Sequence, residues 1–213
     1  MRNITLTALA ALLLFAACRN NSTEPGVQTD TSADAVASGP VDTLYGIEGA
    51  ERATMEITPE GEKQLTYQGY RIRIRENSQS PGEKVFVTPL DSGAITYSIP
   101  MEDGAYFQGI NRNKAFIDIG TGPSGREVAI FDLQKRMIQF RSVYADTLLI
   151  SYNGKLWYYF PVDPAQIDSL PDCPQQTEWE ASGLRTGWAE RRLYDFGNRS
   201  LTRKSEYKCV ALQ

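Results

Sequence analysis

The densest apolar pattern in the chain lies at residues 147–160, TLLISYNGKLWYYF, where two apolar runs meet at Asn153-Gly154. Asn-Gly favours a type I′ turn, because both central residues need positive φ. A two-residue turn also fixes register. It predicts Tyr152 opposite Lys155, Ser151 opposite Leu156, Ile150 opposite Trp157, Leu149 opposite Tyr158 and Leu148 opposite Tyr159. Both faces of this hairpin are largely apolar. The pattern therefore predicts at least partial cover on both sides and places the centre of the core here.

Alternation of apolar and polar positions predicts strands through the rest of the chain. After an entry segment at 44–49 they fall at 52–57 and at 64–75, the latter with a bulge at Gly69. Further strands are expected at 85–87 and 94–99 about the turn Asp91-Ser92-Gly93, and at 116–119. Segments 126–133 and 137–144 pair across Gln134-Lys135-Arg136. Downstream, 177–181, 184–188, 189–196 and 201–212 close the domain, with Leu201, Tyr207, Cys209 and Ala211 on one face of the last strand. One short helix is predicted over 162–170, with Asp163 at the N-cap, Pro164 at the first helical position and Pro171 as the stop. The sum is an all-β fold: an antiparallel β-sandwich or a partly open barrel with one short helix. The strands from Phe116 to Phe160 are also similar to a propeller blade, so a small propeller-like meander is the alternative. No repeat of that unit is evident, and about 170 residues are tight for four full blades.

The start of the chain has a different pattern. Residues 1–18, MRNITLTALAALLLFAAC, carry Arg2 and then an apolar run ending in small residues. The run is too short to span a membrane and has the build of a secretory signal. Its end, Leu14-Phe15-Ala16-Ala17-Cys18, resembles the lipobox of bacterial lipoproteins. In that family the signal is cut before the cysteine, which is then acylated. The resemblance implies a signal peptide at 1–17, a lipidated Cys18 and attachment to a membrane of the cell envelope through the N-terminal lipid. The non-acidic Arg19 implies the outer membrane. The alternative is an ordinary signal cleaved after Ala17, which leaves Cys18 as a free thiol. Residues 19–43 are rich in Ser, Thr, Asp, Ala, Gly and Pro and have too little apolar surface to offset ordering, so a flexible tether is expected. Residues 44–213 form a single β-rich domain.

Composition narrows the chemistry. The 22 basic and 26 acidic residues show no concentrated basic face, so no nucleic-acid partner is expected. The 213 residues include no histidine, which excludes Ser-His-Asp and Cys-His catalysis and the usual zinc sites. With Cys18 spent on lipid, the remaining two of three cysteines form an even pair. In an oxidising compartment this predicts a Cys173–Cys209 disulfide. Asp163, Asp168 and Asp172 lack the spacing of a calcium loop, so no metal is expected. Gly120 to Gly125 matches G-x-G-x-x-G, but the segment after it alternates as a strand. Without a helix N-terminus there is no pyrophosphate site, and no cofactor is expected.

Candidate contacts remain. Arg71, Arg73 and Arg75 share a strand face, which reads as a solvated surface or as a patch for an anionic ligand. Trp179 and Trp188 read as core aromatics or as anchors for a partner. Glu102, Asp103, Asp118, Asp132, Glu178 and Glu180 are carboxylates with no evident pairing, although Glu178 and Glu180 would share a face around Trp179 on a strand. The first functional reading is a lipid-anchored, non-catalytic binding or scaffold protein with a protein, peptide or glycan partner. An inhibitor or immunity-type module is a special form of it, and membership of a larger envelope assembly is close to it. The alternative is an envelope glycan hydrolase using two carboxylates about 5–10 Å apart.

Overall fold

The computed structural model describes residues 41–91, 93–120, 125–151 and 153–212. The expected leader, Cys18 and residues 19–40 of the expected tether lie outside them, while residues 41–43, expected to end the tether, lie in a strand paired with Ala53–Met55. The first sheet is a meander of β1 (Val41–Leu44), β2 (Arg52–Ile57), β3 (Lys63–Thr66), β4 (Tyr70–Glu76), β5 (Glu83–Pro89) and β6 (Tyr97–Ile99), each antiparallel to the next. The second is a meander of β7 (Ala105–Asn111), β8 (Lys114–Ile119), β9 (Arg126–Asp132), β10 (Met137–Ser151), β11 (Lys155–Val162), β12 (Arg185–Asp195) and β13 (Leu201–Leu212). The architecture is an all-β sandwich of two antiparallel sheets with one short helix, α1 (Gln176–Ala181), and neither sheet closes into a barrel.

The core is centred on β8 and β9, whose alternating residues feed two clusters. Ala115, Ile117, Ala129 and Phe131 pack with Leu65, Ile72, Val85 and Val87 of the first sheet. Phe116, Val128 and Ile130 point the other way, against Tyr144, Ile150, Leu156, Tyr158 and Tyr194. The second sheet thus folds back over its own strands. Strand β10 makes this possible: Met137–Tyr144 pairs with β9, and Ala145–Ser151 pairs with β11 after a break in register between Ala145 and Leu148. A strand covered on both faces should read as a continuous apolar run, and Ala115 to Ile117 and Val128 to Phe131 do so. Each fully buried Phe there contributes about 1.5–3 kcal/mol over an exposed one.

Several expected elements take another form. The hairpin at 147–160 is not the centre of the core. Its inner face, Ile150, Leu156 and Tyr158, is buried. Its outer face carries Trp157 and Tyr159, half-buried beneath the guanidinium of Arg191, 4.1 Å from the Trp157 ring centre, and the ammonium of Lys208, 3.7 Å from that of Tyr159. The register is one residue from expectation: Ser151 pairs with Lys155, Ile150 with Leu156, Leu149 with Trp157 and Leu148 with Tyr158. Three residues therefore separate the strands. Gly154 takes φ 77° and its N–H donates to the Ser151 carbonyl, the arrangement of a three-residue loop with glycine in the left-handed position. The expected strand at 64–75 is a hairpin, β3–β4, with Gly69 in its turn. Strand β7 was not expected.

The predicted helix at 162–170 is a single 3₁₀ turn, Pro164–Gln166, capped by the Asp163 carboxylate, which accepts from the Ala165 N–H at 2.9 Å. Strand β11 runs to Val162, and the Ile167 backbone is extended, at φ −110° and ψ 117°, which ends the turn after Gln166. Helix α1 stands where a strand was expected. Its end is a Schellman motif: the N–H groups of Gly183 and Leu184 donate to Glu180 and Trp179, and Gly183 takes φ 77°.

Candidate functional site

Strands β8, β9 and β10 bring a charged group to one end of the second core. Asp118 of β8 is nearly buried, with its side chain 6% exposed, and is held by Arg126, the first residue of β9. Arg126 Nε lies 3.2 Å from Asp118 Oδ1, and Nη2 completes a bidentate pair with Oδ2. Tyr144, opposite Arg126 on β10, donates its hydroxyl to Asp118 Oδ1 at 2.7 Å. The Arg126 guanidinium carbon lies 5.2 Å from the Tyr144 ring centre. Burial, and then the hydrogen bond to Asp118, push the Tyr144 phenol well above its ordinary range. The same carboxylate raises the pKa of Arg126. Both groups are locked in one protonation state.

The break in β10 supplies the next group. Asp146 sits in it with φ 67°, a left-handed conformation that Asp tolerates better than most residues. Bulges re-aim side chains next to functional sites. The Asp146 carboxylate accepts from the Thr147 hydroxyl at 2.8 Å and pairs with the Lys208 ammonium of β13. Burial alone would raise its pKa, but the bonds from Lys208 and Thr147 outweigh burial and hold it below the ordinary range.

Arg126 and Asp146 lie at the junction of two adjoining cavities. The larger, of about 460 Å³, is bounded also by Gln175, Trp179 and residues 208–211. The smaller, of about 230 Å³, is bounded also by Asp118, Tyr144, Thr147, Gln108 and the segment from Gly46 to Glu48. Helix α1 carries Trp179, which is half-buried. The disulfide between Cys173 and Cys209 fixes the segment before the helix to β13, as the sequence predicts.

The other sequence candidates fall elsewhere. Arg71, Arg73 and Arg75 do share an outer face of β4. Arg73 and Arg75 converge on the buried Glu62, with Arg75 Nε 2.6 Å from Oε1, and both guanidinium groups lie over Phe86. Trp188 is half-buried on β12 opposite Cys209. Glu178 and Glu180 lie on a helix, where positions two apart diverge, and Glu180 accepts from the Gln176 amide at 2.8 Å. Glu102 pairs with Arg141, Asp103 accepts from Ser80, and Asp132 pairs with Lys114. Strand β9 follows Gly125, as expected of the glycine loop, whose residues 121–124 lie outside the described ones. Among the described residues no group of three or more Cys, Asp or Glu side chains could hold a metal ion.

Of the groove residues, sequence reasoning singled out only Trp179, Cys209 and Asp118. Arg126, Tyr144, Asp146, Gln175 and Lys208 were missed. The available signal was an Asp interrupting the long apolar-polar alternation of 137–151.

No family model matches the sequence, and no curated protein matches it. Among solved structures, prolyl oligopeptidase B from Galerina marginata, bound to a hydrolysis and macrocyclization substrate, is similar at 10% identity and a TM-score of 0.32. The match covers 76% of this chain and 33% of that one. A similarity of that size carries no information about activity.

Proposed function

We propose that the chain is a lipid-anchored envelope protein whose β domain is a non-catalytic binding or scaffold module, with the groove as its contact surface. The anchor rests on the leader ending at Cys18. The observation that carries the binding role is the state of the groove's ionisable groups. Asp118 is held by Arg126 and Tyr144, and Asp146 by Lys208 and Thr147. Groups fixed in this way present constant hydrogen-bonding directions, which suits recognition. An inhibitor or immunity-type module is one form of this reading.

The second reading, glycan hydrolysis, draws on Asp118 and Asp146 lining one cavity. A general acid needs a carboxyl that keeps its proton near the working pH. Asp146 is held below the ordinary carboxylate range by Lys208 and Thr147, which does not suit it to the acid's role and favours binding over proton transfer.

Affinity capture of the lipidated protein from its native envelope tests the proposal, with Cys18→Ser and Lys208→Glu variants in parallel. The wild type should stay with the membrane and retain a partner. Cys18→Ser should release the protein from the membrane, and Lys208→Glu should lose the partner. Unchanged membrane retention of Cys18→Ser, with no acyl mass on the wild-type N-terminal peptide, would remove the anchor. Capture unaffected by Lys208→Glu would remove the groove.

A further inference from the structure

We infer that the groove takes a neutral glycan, a run of uncharged sugar rings that stacks on Trp179 and hydrogen-bonds across Arg126, Asp146, Gln175 and Lys208. The inference rests on the binding role proposed above and names its ligand class.

Charge balance comes first. The two groups at the junction of the cavities are already matched, Arg126 with Asp118 and Asp146 with Lys208. A charged ligand would meet a carboxylate beside each cation and a cation beside each carboxylate. Glu48, exposed at the rim of the smaller cavity, further disfavours an anion. Electrostatic complementarity therefore selects a polar, uncharged ligand.

The lining then selects among uncharged ligands. It mixes pure donors, a pure acceptor and an amide that does both, within one groove. A hydroxyl donates and accepts, so a polyhydroxylated chain matches such an array without a fixed order of groups. Arg126 Nη1 takes no part in the Asp118 pair. Trp179 adds a partly buried ring that lines the larger cavity and can cover the C–H face of a sugar. The larger cavity falls in the range of small-ligand sites. An extended peptide would be read at a free strand edge. The edge strand that borders the groove, β13, presents exposed Arg203, Lys204 and Glu206, charges that discourage strand addition there.

Isothermal titration of the exported protein with oligomers of N-acetylglucosamine and of α- and β-linked glucose tests the assignment, with oligoglutamate and oligolysine as charged comparisons. At least one neutral oligomer should bind, and neither charged one should. Trp179→Ala and the milder Gln175→Ala, both checked for an unchanged unfolding midpoint, should weaken that binding about tenfold and severalfold. Failure of every neutral oligomer at millimolar concentration, while envelope capture still depends on Lys208, would overturn the glycan and leave the binding role. Binding indifferent to both variants would overturn the site.

Discussion

The Cα atoms of Cys173 and Cys209 lie 5.6 Å apart, and a disulfide joins the two residues across 36 positions of sequence. The bond ties the segment preceding α1 to β13 at the position opposite Trp188. That segment has little apolar surface of its own, so the cross-link bears much of its attachment. A loop of this length should contribute about 3–4 kcal/mol by restricting the unfolded chain. Replacing both cysteines by Ala should lower the unfolding free energy in urea by about that amount and leave the far-ultraviolet spectrum of the sheets unchanged. A loss below about 1 kcal/mol would mean that packing alone holds the segment.

Lys114 and Asp132 form a buried ion pair across β8 and β9, with Nζ 2.7 Å from Oδ2. Asp132 Oδ1 also accepts from the N–H groups of Gln134 and Lys135 at 3.1 and 2.9 Å. Burial pushes the Asp132 pKa up, but Lys114 and the two amides outweigh it, and the net direction is down. The unfolded chain then takes up the proton first as pH falls, so unfolding binds protons and is favoured by acid. The contribution is present above the unfolded pKa of about 4 and is lost as pH falls through the lower folded value. Asp132→Asn should cost about 3–5 kcal/mol near neutral pH, because Lys114 stays buried without a counter-charge. Urea titrations repeated at falling pH should show its deficit against wild type shrinking below about pH 4. A deficit that stays constant across this range would mean that ionisation of Asp132 is not the source of its stabilisation.

The fold class was legible because most strands alternate visibly; β2, β5, β9 and β13 lie close to the expected segments. The disulfide was legible from cysteine arithmetic. The hairpin register was not. A type I′ turn and a three-residue loop both need Gly154 at positive φ, and a contact distant in sequence, Phe196 N–H to the Gly154 carbonyl, accompanies the second. The true core centre was hidden by Lys114, Asp118 and Asp132, which make β8 and β9 look amphipathic until their partners are placed. Strand β7 was hidden by Gly109, at φ 99° within a register shift. Helix α1 could have been read from Gly183 as a C-terminal stop. The groove could not, since its residues come from the segment before β2, from β7, β8, β9, β10 and β13 and from the helical segment, and only tertiary pairing brings them together.

Gly49 answers a steric demand that Gly61 does not. Both have φ near +80°, at 84° and 80°. A Cβ on Gly49 would lie 1.9 Å from the Ile150 carbonyl oxygen, whereas one on Gly61 would meet nothing within 4 Å. The close approach is part of a bridge: Glu48 pairs with Leu149, and the Ile150 N–H donates to the Glu48 carbonyl at 2.9 Å. Gly61→Ala should therefore cost about 1–2 kcal/mol, the left-handed penalty alone. Gly49→Ala should cost about 2–4 kcal/mol, because backbone must also move. Equal unfolding midpoints for the two variants would contradict the bridge.

Asp146 separates the demands of the fold from those of the groove. Its φ of 67° is tolerated by Asp and Asn, whose short side chains suit left-handed backbone, and resisted by β-branched residues. Its ion pair with Lys208 is partly exposed, with side chains 44% and 34% accessible, so solvent screens much of it. Asp146→Asn should then cost less than about 1 kcal/mol in urea unfolding. Asp146→Val removes the same charge and adds a branched Cβ to a left-handed position, and should cost about 1–3 kcal/mol more. The Asn variant should keep the fold while leaving the Lys208 ammonium without its carboxylate, so any ligand bound in the groove should weaken at an unchanged unfolding midpoint. If the Asn and Val variants unfold together, the break in β10 relaxes once the carboxylate is gone, and its geometry is imposed by the Lys208 pair instead of by the strand.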